Sequence, residues 1–129
     1  MSDFVLDASA LLALVHGEPG AERVHAVLGR AAISAINLAQ VVGRLSERGG
    51  AAGDIRRGLD RLRLTVLPVD EELGYAAGFP RPATHRFGLS LGDHICLALA
   101  SRLGATALTA DRAWQRVATD ARIELLRPS

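Results

Sequence analysis

The chain has no lysine; all 15 of its basic side chains are arginine. That absence removes whole chemistries. A phosphate-cradling P-loop requires its lysine, and Schiff-base or lysine-base catalysis requires a side-chain amine. Cysteine occurs once, at Cys96, which excludes an intramolecular disulfide and a cysteine-rich metal site. Cys96 lies in the apolar run 95–100 and reads as a small buried hydrophobe. Aromatic residues make up 4% of the sequence against 49% hydrophobic content. The core must therefore be aliphatic, with Trp114 and Phe4 as anchors, and stacking on bases is not the main device for nucleic-acid contact. Charge is nearly balanced at +1, so any site for a polyanion must be local. No stretch approaches the ~20 apolar residues of a membrane span. Asp3 and Asp7 stand where a secretory leader would be basic and then uninterrupted. The expectation is a soluble, cytoplasmic protein whose 129 residues form one domain, 1–129.

What is present is an alternation of strand and helix signals. Strands are expected over 4–6, 31–34, 64–67, 106–109 and 123–126. Helices are expected over 9–15, 20–28, 36–45, 54–62, 71–79, 90–103 and, briefly, 111–117. Stops fall where they should: Gly17 and Pro19, Gly49 and Gly50, Pro80 and Pro82, and Gly104. The segment 81–89 is polar and reads as turn. This pattern argues an α/β fold of three layers, with a short, mainly parallel central sheet flanked by helices.

Strand one runs into Asp7 and strand four into Asp111, and ligands of open parallel sheets bind outside the carboxyl ends of strands. Asp93 sits in the first turn of the clearest helix, where Ser90 and Asp93 also fit a capping box. Asp111 also suits the N-cap of the helix that follows it, and Asp7 suits a strand-end turn. A cap and a ligand are compatible roles. Three acids converging on one crevice repel one another and call for a cation; a hard divalent ion with oxygen ligands answers that need.

Four pieces then come in order: Val5-Leu6-Asp7-Ala8-Ser9-Ala10-Leu11-Leu12, Ile33-Ser34-Ala35-Ile36-Asn37-Leu38-Ala39-Gln40-Val41, Leu89-Ser90-Leu91-Gly92-Asp93 and Leu108-Thr109-Ala110-Asp111-Arg112. Over essentially its whole length the chain resembles the PIN-domain ribonucleases, and among them the VapC toxins of bacterial type II toxin–antitoxin pairs. The resemblance implies a PIN-like fold and a Mg²⁺-dependent endoribonuclease, with Mn²⁺ as the other candidate ion. It implies Asp7 and Asp93 as metal ligands, Asp111 completing the acidic cluster, and Ser9 as a supporting hydroxyl. The implied reaction is hydrolysis of an RNA phosphodiester by metal-activated water. The implied partners are an RNA substrate, a VapB-like antitoxin and a second copy of the chain.

One position departs from the family pattern: Gln40 stands where a glutamate is usual. An amide keeps the length and one acceptor but carries no charge. Glu47 is no substitute, since seven helical residues rise ~10 Å. Cleavage is thus weakened, or the chain acts without cutting, by binding RNA or an antitoxin. A phosphotransfer domain with Asp7 as nucleophile is the other α/β reading, but it would need a lysine. Arg81, His85 and Arg86 precede the Asp93 helix, and Arg81 and Arg86 are candidates for substrate phosphate. Arg112 is a candidate for phosphate or for pairing with the acids. Arg44, Arg48, Arg56, Arg57, Arg61 and Arg63 form either a solvated face or a surface for phosphate or antitoxin. His16, His25 and His94 show no metal spacing and are expected at the surface or behind the site.

Overall fold

The computed structural model describes residues 2–117 and 119–127. Five strands form one sheet in the order β3-β2-β1-β4-β5. They are β1 (Phe4–Leu6), β2 (Ala31–Ser34), β3 (Thr65–Leu67), β4 (Thr106–Thr109) and β5 (Arg122–Leu125). Every pairing is parallel, with Phe4 opposite both Ala31 and Thr106. Helices α1 (Ala8–His16) and α2 (Ala21–Val27) link β1 to β2, and α3 (Ala35–Glu47) and α4 (Ala52–Asp60) link β2 to β3. Return to the far side of β1 is made by α5 (Glu71–Gly78), α6 (Arg81–Thr84) and α7 (Leu91–Leu103). A 3-10 turn, Arg112–Arg116, joins β4 to β5.

Alternation along β1 makes the layers. Val5 packs with Leu73 and Ala77 of α5 and with Ile95, Cys96 and Leu99 of α7. Its neighbour Leu6 turns to the opposite face, onto Ala10 of α1 and Val24 and Val27 of α2. Leu11, Ile33 and Val41 continue that second layer toward α4. Leu6, Leu11 and Ile33 are fully buried, and truncating any of them to alanine costs roughly 2–5 kcal/mol. Trp114 is fully buried, as an anchor should be. Phe4 is only half-buried, and its ring lies 5.3 Å from the guanidinium carbons of both Arg23 and Arg30.

The segment 81–89 is not a turn. It holds α6 and a 3-10 turn, His85–Phe87. Pro82 sits in the first turn of α6, where its missing N–H leaves no intrahelical bond unmade. Thr84 Oγ1 donates to the Pro80 carbonyl at 3.1 Å. Helix α1 also starts one residue earlier than the apolar pattern suggests, because Asp7 is its cap. No helix among the described residues is long and apolar enough to cross a membrane.

The strand order reverses direction between β1 and β4, so their carboxyl ends open a crevice. Asp7 and the loop from Ala110 to Asp111 stand at those two ends.

Candidate active site

Asp7 follows the last residue of β1 and caps α1, with Oδ1 accepting from the Ala10 N–H at 2.8 Å. The Ser9 hydroxyl lies 2.7 and 2.9 Å from the two carboxylate oxygens. The Thr109 hydroxyl donates to Oδ2 at 2.5 Å. Both hydroxyls in turn accept backbone N–H groups of the loop after β4: Ala110 to Ser9 at 2.9 Å, and Asp111 to Thr109 at 3.0 Å. The loop carrying Asp111 is thereby tied to Asp7. Asp7 itself is 2% exposed. Burial pushes its pKa up to about 6, although Thr109, Ala10 and Ser9 all pull it down, and the charge of Asp93 raises it further.

Asp93 is held by the capping box that its sequence suggests. Its Oδ2 accepts the Ser90 N–H at 2.8 Å, and Ser90 Oγ accepts the Asp93 N–H at 3.2 Å. Partial burial raises its pKa; the bonds to Ser90 oppose this, and the charge of Asp111 adds to it. Asp111 caps the 3-10 turn through the Ala113 N–H at 2.9 Å. Asp7, Asp93 and Asp111 are therefore linked in sequence by mutual repulsion.

Among the described residues, the ion pairs all lie elsewhere, and none neutralises these three acids. A buried carboxylate facing a second one, which in turn faces a third, with hydroxyl donors and no arginine pair, is an arrangement that a cation relieves. The donor set is hard oxygen, which suits Mg²⁺ or Mn²⁺. Among the described residues no three His, Cys, Asp or Glu side chains close up enough to hold an ion by themselves. The fit is thus to an ion that keeps much of its water, as Mg²⁺ does.

Gln40 lies beside Gly92, the residue before Asp93. A Cβ added to Gly92 would run into the Gln40 amide, Nε2 first and then Oε1 at 2.7 Å and Cδ at 2.8 Å, so the glycine is a cradle that the amide fills. Asn37 holds the arrangement: its Nδ2 donates to the Gly92 carbonyl at 3.1 Å and to Gln40 Oε1 at 2.9 Å. Its Oδ1 accepts from Ser34 Oγ at 2.8 Å. Asn37, Gly92 and Thr109 belong to this site although sequence reasoning assigned them no role. Thr109, two residues before Asp111 at a strand end, is the signal that could have been read; Asn37 carries no local signal beyond its place after Ser34, whose hydroxyl caps α3.

The basic candidates are less gathered. Arg81 is exposed on α6. Arg86 is exposed and stacks over Phe87 at 4.8 Å. Arg112 donates from Nε to the Arg127 carbonyl at 3.4 Å and pairs with no acid among the described residues. On α4, Arg56 and Arg57 pair with Asp60 and Asp54, which makes that side largely a solvated face. His94 is not a surface residue. It is 3% exposed, with Nε2 2.9 Å from Thr84 Oγ1, and burial and then Arg81 lower its pKa.

The model of the PIN domain matches residues 4–120. The chain belongs to the PIN-domain family. No curated protein matches its sequence. Solved structures match it in fold. The DNA-bound VapBC of Salmonella typhimurium aligns with a TM-score of 0.76 at 23% identity, over 98% of this chain and 100% of that one. VapBC2 from Rickettsia felis, bound to a promoter DNA fragment, aligns at 0.73 and 18% identity, over 94% and 96%. VapBC-1 of nontypeable Haemophilus influenzae aligns at 0.73 and 22% identity, over 95% and 97%. The five parallel strands and flanking helices of this PIN domain are the three-layer architecture expected from the sequence.

Proposed function

We propose that this PIN domain is the toxin of a type II toxin–antitoxin pair and hydrolyses RNA phosphodiesters with a divalent metal ion. The observation that carries this reading is the buried carboxylate of Asp7, fixed by Ser9, Thr109 and Ala10 and facing the charge of Asp93, itself beside that of Asp111, without a basic partner. Asp7 and Asp93 would hold Mg²⁺ or Mn²⁺, with Asp111 at the edge of the same crevice. When bound, the ion supplies a water of lowered pKa and neutralises charge developing on the phosphate. Ser9 and Thr109 keep the Asp7 oxygens oriented, while the Ser90 cap fixes the rotation of Asp93. Arg81, Arg86 and Arg112 are exposed and available to phosphates flanking the crevice.

Two surfaces support the proposed partners. A trough of about 370 Å³, lined by Leu14, Val15, Leu45, Ile55, Leu59 and Leu62, suits an apolar segment of a VapB-like antitoxin. Tyr75 of α5 and Phe79, which caps its C-terminus, stack at 5.8 Å while 54% and 76% exposed, a face suited to a second copy. Gln40 favours a second reading, a module that binds RNA or antitoxin without cutting.

The test is cleavage of a defined RNA by the parent and Asp93→Asn proteins, in Mg²⁺ and in chelator. Cleavage by the parent in Mg²⁺, lost in chelator and in Asp93→Asn, supports the nuclease. No cleavage, with antitoxin binding intact, favours the module.

A further inference from the structure

The bonding around Asn37 has a direction. The Gly92 carbonyl only accepts, so the Asn37 side chain must turn its Nδ2 toward it. Asn37 Oδ1 is then left for the Ser34 hydroxyl, and the second Nδ2 hydrogen goes to Gln40 Oε1. That choice propagates: the whole Gln40 amide lies over Gly92, and with Oε1 engaged by Asn37 the end left over, which is also the nearer to Gly92, is Nε2, a donor with no lone pair to offer an ion. Among the described residues Nε2 has no acceptor. Gly92 immediately precedes Asp93, so this spare donor lies on the exposed side of the first turn of the helix that carries Asp93. An RNA strand bound at Asp93 would present acceptors to it, the phosphate oxygens.

We propose that Gln40 is a substrate-positioning residue whose Nε2, aimed by Asn37 over Gly92, donates to a phosphate oxygen of the RNA strand and does not ligate the metal. The inference rests on the nuclease reading and adds a named contact to it. Gly92 belongs to the device because only a residue without a Cβ leaves room for the amide. A glutamate at 40 would still accept from Asn37 but would turn an anionic oxygen toward the phosphate.

The experiment has two arms. In the first, a fluorescently labelled, mixed-sequence single-stranded RNA 20-mer is titrated in chelator at low salt, where no cleavage occurs and sequence-independent phosphate contacts are strongest. In the second, Mn²⁺ is titrated calorimetrically without RNA. Gln40→Ala should weaken RNA binding about three- to tenfold, the loss of one hydrogen bond, and leave the Mn²⁺ dissociation constant within about twofold. Gln40→Glu should weaken RNA binding and tighten Mn²⁺ about tenfold, as an added carboxylate does. Gly92→Ala, which places the better helix former in α7, should match Gln40→Ala in the RNA arm because it expels the amide. Equal RNA binding by the parent and Gln40→Ala overturns the proposal alone, as does a Mn²⁺ affinity that falls in Gln40→Ala. A parent that binds no RNA in chelator overturns the proposal, and cleavage by the same parent in Mg²⁺ decides the nuclease reading separately.

Discussion

Asp7 and Asp70 begin helices in the same way and end in opposite electrostatic states. Each has extended backbone, with φ and ψ of −86° and 177° at Asp7 and −89° and 178° at Asp70. Each accepts a backbone N–H three residues on at 2.8 Å, from Ala10 and from Leu73. Asp70 is then met by Arg102, whose two terminal nitrogens donate to both carboxylate oxygens, and its pKa falls. Asp7 is met by Ser9 and Thr109 instead, is buried, and rises to about 6. One local motif thus serves two ends. Where an arginine completes it, the cap is structural. Where burial and neighbouring acids take the arginine's place, the fold carries an unfavourable charge that only a proton or a cation relieves.

The largest expected break in this comparison is catalytic. Asp7→Asn or Asp93→Asn should lower metal-dependent RNA cleavage by about 100-fold or more, a loss of ~3 kcal/mol in the barrier. Arg102→Ala should leave cleavage within about twofold. Initial rates on one RNA under saturating Mg²⁺ check both.

Stability should move the other way at Asp7. Asn remains a good N-cap and removes a charge whose pKa is raised from 3.8 to about 6, so Asp7→Asn should stabilise the metal-free protein by up to about 3 kcal/mol at neutral pH. Asp70→Asn should lower the melting temperature slightly, since it loses a favourable pair. Chemical denaturation in chelator reads both, and a destabilised Asp7→Asn protein would mean that the carboxylate is not strained.

The pH profile follows from the same shift. Between pH 4 and pH 6 folded Asp7 holds its proton more tightly than the unfolded chain does. The folded state therefore binds more protons, and the Asp7 contribution to stability declines as pH rises through that window and levels off above it. Asp70 and Glu124, whose pKa values are lowered, contribute the opposite slope in the acid range. The difference between parent and Asp7→Asn unfolding curves from pH 4 to pH 8 isolates the Asp7 part. Saturating Mn²⁺ should remove the penalty at pH 7 and release protons below pH 6.

The elements carrying Asp7, Asp93 and Asp111 were legible because each signal is local. An apolar run ends in an acid, a Ser-x-x-Asp opens a helix, and a glycine closes one. What stayed hidden depends on partners distant in the chain. Thr109 matters through Asp7, 102 residues away, and Asn37 through Gly92, 55 residues away. The burial of His94 was hidden because α7 is buried at Gly92, from His94 through Leu97 and again at Leu99 and Ala100, so its apolar stripe has no clear edge. The short α6 escaped because two prolines in seven polar-rich residues resemble a turn, yet both stand where a helix start tolerates them.

The pairing of β1 with β4 joins Phe4 to Thr106 and Leu6 to Leu108. During synthesis the first strand leaves the ribosome about a hundred residues ahead of the partner that completes its pairing, at ~5–20 residues per second. Asp7 waits for those seconds without Thr109, Asp93 or Asp111 beside it. The crevice therefore cannot close until residues 7 through 111 have all emerged, and until then Asp7 is a carboxylate with neither its hydroxyl partner from β4 nor the opposing acids.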